Sequence, residues 1–245
     1  MGIDRVRFSS VSLGFFVLAV FALASQAAAA VVTIPPSLGP GDSYRLVFIT
    51  STTDSASNSS ISSYNTFATQ SADSVTALMN LPATWSAIVS TSTESALTNI
   101  GGDSDIPIFL LDGDEVATGT AGLFGGTLLE PIDIDENGKT LPSSSKVWTG
   151  TNSDGSIATG YLGSNNPEYG LDSATSSLWI ADGTGTTNST THDLYVISSV
   201  LTIAGGQGNT GDPGGASIPE PGTIGLAVLG GAALFFARRR AKAIA

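Results

Sequence analysis

Tyr44-Arg45-Leu46-Val47-Phe48-Ile49-Thr50 is the stretch on which the fold turns. Aromatic and β-branched side chains dominate it, which is the composition of a buried strand. Before it, Val31-Val32-Thr33-Ile34 runs into a Pro/Gly turn. After it, residues 51–60 are almost all Ser, Thr, Asp or Asn and read as a loop. Ile61, Tyr64, Phe67 and Ala68, then Val75, Leu78 and Met79, fall at helical spacing and predict one or two helices packed on the sheet. Trp85-Ser86-Ala87-Ile88-Val89-Ser90 reads as a strand. Residues 91–100 read as a short helix capped by Thr91 or Ser92 ahead of Glu94.

The second half is punctuated by turns at Gly101-Gly102, Asp112-Gly113, Gly125-Gly126, Asn137-Gly138, Asp154-Gly155 and Asp182-Gly183. Short apolar segments lie between them, such as residues 106–111, Val147-Trp148-Thr149-Gly150-Thr151 and Leu178-Trp179-Ile180. A final strand spans residues 194–203. The pattern is α+β: a single mostly-β domain with one or two helices, with a β-sandwich as the alternative. Residues 205–217 form a Gly-rich linker whose coil spans roughly 20 Å, long enough to hold the body clear of whatever holds the tail.

Both ends read as processing segments. Arg5 and Arg7 precede an apolar run over residues 11–24, and small residues continue through Ala30, so residues 1–30 form a secretory signal peptide cut between Ala27 and Ala30. Residues 218–245 hold Pro219-Glu220-Pro221, an apolar run over 224–237, and Arg238-Arg239-Arg240. Fourteen helical residues reach about 21 Å against a hydrocarbon core of about 30 Å, so the transmembrane helix is a short one. The arginines hold their end in the cytoplasm and leave the body, residues 31–204, on the far side of the membrane.

The body is strongly acidic. Three basic residues, Arg45, Lys139 and Lys146, face nineteen acidic ones between Val31 and Ser217, a formal charge of −16. Such a surface repels nucleic acid and anionic lipid. There is no cysteine, which excludes disulfides and thiolate chemistry. Ser and Thr account for 55 residues of that stretch, a hydroxyl-rich surface open to O-linked glycans.

The triplet Pro219-Glu220-Pro221, the apolar run and the cluster Arg238, Arg239 and Arg240 resemble the PEP-CTERM sorting signal of exopolysaccharide-producing Gram-negative bacteria. The resemblance implies a membrane-embedded transpeptidase-like partner, an exosortase, that cuts at or near the triplet. It also implies transient anchoring in the inner membrane, then release to the cell surface or extracellular matrix. A plain anchor that is never removed fits the apolar run equally well.

A second resemblance covers most of residues 44–203. The strand at 44–50, the helix, Trp85-Ser86-Ala87, Leu111-Asp112-Gly113, Val147-Trp148-Thr149-Gly150-Thr151, Trp179 and the closing Leu194-Tyr195-Val196 are similar to bacterial secreted domains with a C-type-lectin-like fold. Cysteines usual in that group are missing, with Val196 where one is expected. The Glu-Pro-Asn and Trp-Asn-Asp sugar signatures are missing too. Asn166-Pro167-Glu168 carries similar letters in reversed order.

Asp133-Ile134-Asp135-Glu136-Asn137-Gly138 has the D-x-D-x-N-G spacing in which oxygens at alternate positions converge on Ca²⁺, making Asp133, Asp135 and Asn137 the candidate ligands. The twelfth place, where such a loop needs a bidentate Glu, is Ser144. An acidic surface turn is the simpler reading, as it is for the cluster Asp103, Asp105, Asp112, Asp114 and Glu115. His192 is the only histidine, so any Ser-His-Asp triad must use it, and its position points to the edge of the last strand. No catalytic motif accompanies it. The expected role is therefore structural or adhesive at the cell surface or in an exopolysaccharide matrix, not enzymatic. The alternatives are a calcium-assisted carbohydrate-binding module, then a hydrolase of extracellular polymers.

Overall fold

A computed structural model describes residues 30–102, 104–142 and 144–205. The expected signal peptide, apart from Ala30, the rest of the linker and the sorting segment with its transmembrane helix lie outside the described residues. The chain divides into two compact units, Met1–Ala204 and Gly205–Ala245.

In chain order the elements are strands Ser43–Ile49 (β1) and Asp54–Ser55 (β2), helices Ile61–Asp73 (α1) and Thr76–Met79 (α2), strand Trp85–Ala87 (β3), helix Ala96–Asn99 (α3), strands Ile108–Phe109 (β4) and Glu115–Ala117 (β5), and helix Thr120–Leu123 (α4). Strands Lys146–Trp148 (β6) and Glu168–Leu171 (β7), a 3₁₀ turn Ser177–Trp179, and strands Gly183–Thr184 (β8), Thr191–His192 (β9), Tyr195–Ser198 (β10) and Leu201–Thr202 (β11) follow.

The main sheet is built around β1 in the order β3-β10-β1-β4-β5, with β11 also pairing β1. Leu46, Val47, Phe48 and Ile49 are completely buried, each contributing about 1.5–3 kcal/mol of apolar burial. Antiparallel register sets Val47 opposite Ile197 and Ile49 opposite Tyr195, whereas β4 runs parallel, with Arg45 opposite Ile108. That parallel pair separates the sheet from the all-antiparallel β-sandwich alternative. Smaller sheets, β6-β7-β8 and β2-β9, complete the mostly-β body.

Helix α1 is Ser/Thr-rich, and its hydroxyls turn back onto the helix's own carbonyls, while its apolar face supplies the stability. Thr66, Thr69 and Ser71 donate to the carbonyls of Ser62 (2.8 Å), Asn65 (2.9 Å) and Phe67 (3.0 Å). Tyr64, Ala68 and Ala72, spaced by four, make the buried face. Asn65 then ties three elements together: its Oδ1 accepts from the Ala87 N–H (3.0 Å) and from Asn99 Nδ2 (3.0 Å).

Two expected elements differ, and one short apolar segment takes a form of its own. The helix of residues 91–100 begins only at Ala96, with Ser95 as its cap through a bond from the Thr98 N–H (3.1 Å), because residues 91–94 close a turn of their own. The apolar segment Leu178-Trp179-Ile180, given no element above, takes part in a 3₁₀ turn. The last strand is two, since Ser198 breaks the ladder by offering its Oγ to the Leu46 N–H (2.9 Å) and Val200 swings out to solvent.

Arg45, 4% exposed, clamps this junction with Nε on the Ser198 carbonyl and Nη2 on the Ile100 carbonyl, both 2.8 Å. Burial lowers its pKa to about 10, still far above neutrality. Trp85, Trp148 and Trp179 are all buried.

Candidate functional site

The D-x-D-x-N-G segment lies against the end of β1, where the Ile49 N–H donates to the Ile134 carbonyl (3.0 Å). Asp135, buried, spends a carboxylate oxygen on the N–H groups of Asn137 and Lys139, both 2.9 Å, and Gly138 at φ 74° completes the turn. Glu136 is likewise buried and accepts from the Ser51 N–H (2.8 Å) and hydroxyl. Asn137 is exposed, and Asp133 is half-buried with its carboxyl bonded to its own backbone N–H. Among the described residues no three acidic or histidine side chains form a metal-holding group.

Sequence reading passed over a different set of acids. Asp172, just past β7, is completely buried; its Oδ1 accepts from the Ser144 N–H (2.9 Å), and its Oδ2 has no partner. Ser144 reaches that position with φ 77°, a left-handed conformation that costs a serine free energy. Asp193 precedes β10, where its backbone carbonyl accepts the Trp148 N–H (3.0 Å). Burial, reinforced by Asp172 and Glu136, raises its carboxyl pKa to about 6. Burial also raises Asp172, and it raises Asp133 with help from Asp172, Asp112 and Glu130. Burial, reinforced by the charges of Asp172, Asp193 and Asp133, raises the Tyr195 pKa; its hydroxyl is unpartnered, and its ring packs on Trp179, whose indole N–H also lacks a partner. Leu171-Asp172 and Asp193-Leu194, acids set directly against apolar strands, are the only trace of this arrangement in the sequence.

His192 lies in β9 opposite Asp54, its ring 4.4 Å from that of Trp148. Burial and the nearby Lys146 lower its pKa, so the ring is neutral at pH 7. Lys146 itself lies 4.0 Å over the Tyr169 ring. Asp112 accepts the Asp114 N–H in a surface turn; Asp103 lies outside the described residues.

A cleft of about 370 Å³ opens beside β7, lined by Asn152, Thr159, Ser164, Asn165, Asn166 and Glu168 among others. Its floor is tight: the Glu168 N–H donates to the Gly160 carbonyl (2.6 Å), and a Cβ on Gly160 would lie 2.5 Å from the Asn166 carbonyl oxygen. The Asn166 amide is held by the Gly185 carbonyl (3.0 Å), while the buried Ser164 hydroxyl has no partner. Burial and Asp182 raise the Glu168 pKa. Convergent amides, hydroxyls and one carboxylate suit a polyol more than an apolar ligand.

Among the described residues no helix is long and apolar enough to cross a membrane. No curated protein matches the chain. The model of the PEP-CTERM protein-sorting motif matches residues 217–240, which include Pro219, Glu220, Pro221 and Arg238 to Arg240. The chain therefore carries a PEP-CTERM protein-sorting motif, consistent with an exported exosortase substrate.

Proposed function

We propose that this exported protein works by adhesion at the cell surface or in an extracellular polysaccharide matrix, holding polymer without turning it over. The observation that carries the reading is the cleft beside β7, where Asn152, Asn165, Asn166, Ser164 and Glu168 present hydrogen-bonding groups to one space. A second shallow site on α1, lined by Ser62, Asn65, Thr66, Thr69 and Gln70, has the same amide and hydroxyl character. Many weak polar contacts repeated along a polymer give firm attachment through multivalency without a tight single site.

The test is co-sedimentation of the full-length protein with extracellular polysaccharide from an exopolysaccharide-producing Gram-negative culture. The double variant Asn166→Ala with Glu168→Gln is expected to lose at least tenfold in affinity. Unchanged binding would remove the cleft from the reading, and release of reducing ends during the incubation would replace adhesion by hydrolysis.

A further inference from the structure

The cleft beside β7 is biased toward hydrogen-bond acceptors. Asn152 spends both protons of its side-chain amide inside its own turn, on the Ser156 hydroxyl and the Ile157 carbonyl, each at 3.0 Å. Asn166 gives one amide proton to the Gly185 carbonyl, also at 3.0 Å. A carbonyl can only accept, so these bonds fix which end of each amide is nitrogen and leave its oxygen for a ligand. Of the residues lining the cleft, Glu168 alone is charged. It is partly buried, and the charge that acts on it is a second carboxylate, Asp182. The body's cations are held elsewhere. Lys146 lies 4.0 Å over the Tyr169 ring, and successive strand residues point to opposite faces, so this pair lies on the side of β7 away from Glu168. Arg45 is committed to the Ser198 and Ile100 carbonyls, and Lys139 is exposed on the turn that Asp135 closes.

A space lined by acceptors around one unpaired carboxylate is matched by a donor that brings positive charge. A primary ammonium has three N–H donors, no acceptor, and the charge that Glu168 lacks. A uronate, sulfate or phosphate group would set acceptor against acceptor on a strongly acidic body. We propose, on the reading of this cleft as a polysaccharide site, that it selects polymers of amino sugars whose amines are free. The ammonium sits on the Glu168 carboxylate, and the Asn152 and Asn166 oxygens accept from the neighbouring N–H and O–H groups. A lysine side chain carries the same ammonium on a four-carbon apolar stem. Ala158, itself buried, is the one apolar side chain in the lining, so that stem finds little to pack on, whereas ring hydroxyls meet Thr159, Asn165 and Thr184. At about 370 Å³ the cleft seats a short stretch of chain, and repetition along the polymer supplies the strength.

The test uses full-length protein at about 0.15 M salt, where a screening length of about 8 Å leaves only charges close to the ligand able to act. A fully de-N-acetylated glucosamine oligomer is expected to bind at least tenfold more tightly than the same oligomer after N-acetylation, and an oligouronate is expected not to bind. Glu168→Gln should weaken binding of the amine oligomer at least tenfold. Asp114→Asn deletes an equal charge in a surface turn outside the cleft and should bind as the parent does. Thr184 faces Glu168 across the β7–β8 ladder, so Thr184→Lys should seat a resident ammonium there and shut the oligomer out. That variant carries the test if Glu168→Gln fails to fold. Equal losses in Glu168→Gln and Asp114→Asn overturn the proposal in favour of net charge, and polylysine bound as tightly as the amine oligomer overturns it in favour of a basic protein. Equal affinity for the free and acetylated oligomers, or no binding of the amine oligomer, also overturns it. Polysaccharide adhesion falls with it only if co-sedimentation with extracellular polysaccharide fails as well.

Discussion

Replacing Asp193 by Asn should stabilise the protein at neutral pH and leave it unchanged in acid. An ordinary Asp titrates near 3.9, and in the folded protein Asp193 is raised to about 6 by burial and by the charges of Asp172 and Glu136. Below pH about 4 the group is protonated whether the chain is folded or not, so it contributes nothing. Between pH 4 and 6 the folded state keeps a proton that the unfolded state has lost, and stability falls as pH rises. Above pH 6 the full cost is present. Because the side chain is only half-buried, solvent screening reduces that cost to about 1 kcal/mol, or about 2–4 °C in a domain of this size. Asn keeps the shape and removes the charge. Thermal melts of parent and Asp193→Asn in EDTA, taken from pH 4 to 8, should coincide at pH 4 and separate by those few degrees at pH 8, the variant being the more stable. A constant offset across the range, or a less stable variant at pH 8, would refute the electrostatic account of this buried corner.

Gly170→Ala should lower stability by about 3 kcal/mol or more in urea denaturation, since an added Cβ overlaps the Trp179 carbonyl oxygen and lies 2.7 Å from the Ile180 nitrogen, both backbone atoms with no room to yield. Arg45→Ala should cost about 3 kcal/mol by the same measurement through loss of two charge-assisted bonds, and Arg45→Lys should recover only part of it because an ammonium cannot fork to both the Ser198 and Ile100 carbonyls. Ser144→Gly should raise the melting temperature, by about 1 kcal/mol in stability, because glycine adopts φ 77° without strain and retains the N–H that holds Asp172.

Local composition was enough to read β1, α1 with α2, and the closing strand region, because each buries a periodic face that local spacing records. Tyr64, Ala68 and Ala72 are one such face; the apolar run at 46–49 is another. The parallel pairing of β4 with β1 was not legible. It joins residues about sixty positions apart, and nothing in a two-residue strand names its partner. The break in the last strand was also hidden, because Ser198 leaves the ladder through a side-chain bond to Leu46 and not through a Gly or Pro. The site was less legible than the fold. The D-x-D-x-N-G spacing announced ligands, yet Asp135 went to its own turn, while Asp172 and Asp193 gain their character only from the burial that distant segments impose on them. The sorting motif was readable in full, since a membrane enzyme must recognise it as a linear segment.

The body begins and ends at one seam. The Gly41 N–H donates to the Ile203 carbonyl, the Ile203 N–H donates to the Asp42 carbonyl, and Ser43 faces Thr202 across the ladder. Every helix and strand among the described residues lies between those two points. The same closure makes the seam the gatekeeper under tension: a pull on the tail meets the β1–β11 hydrogen bonds before it reaches the packed centre, and those few bonds set how hard the tail can be tugged before the body opens.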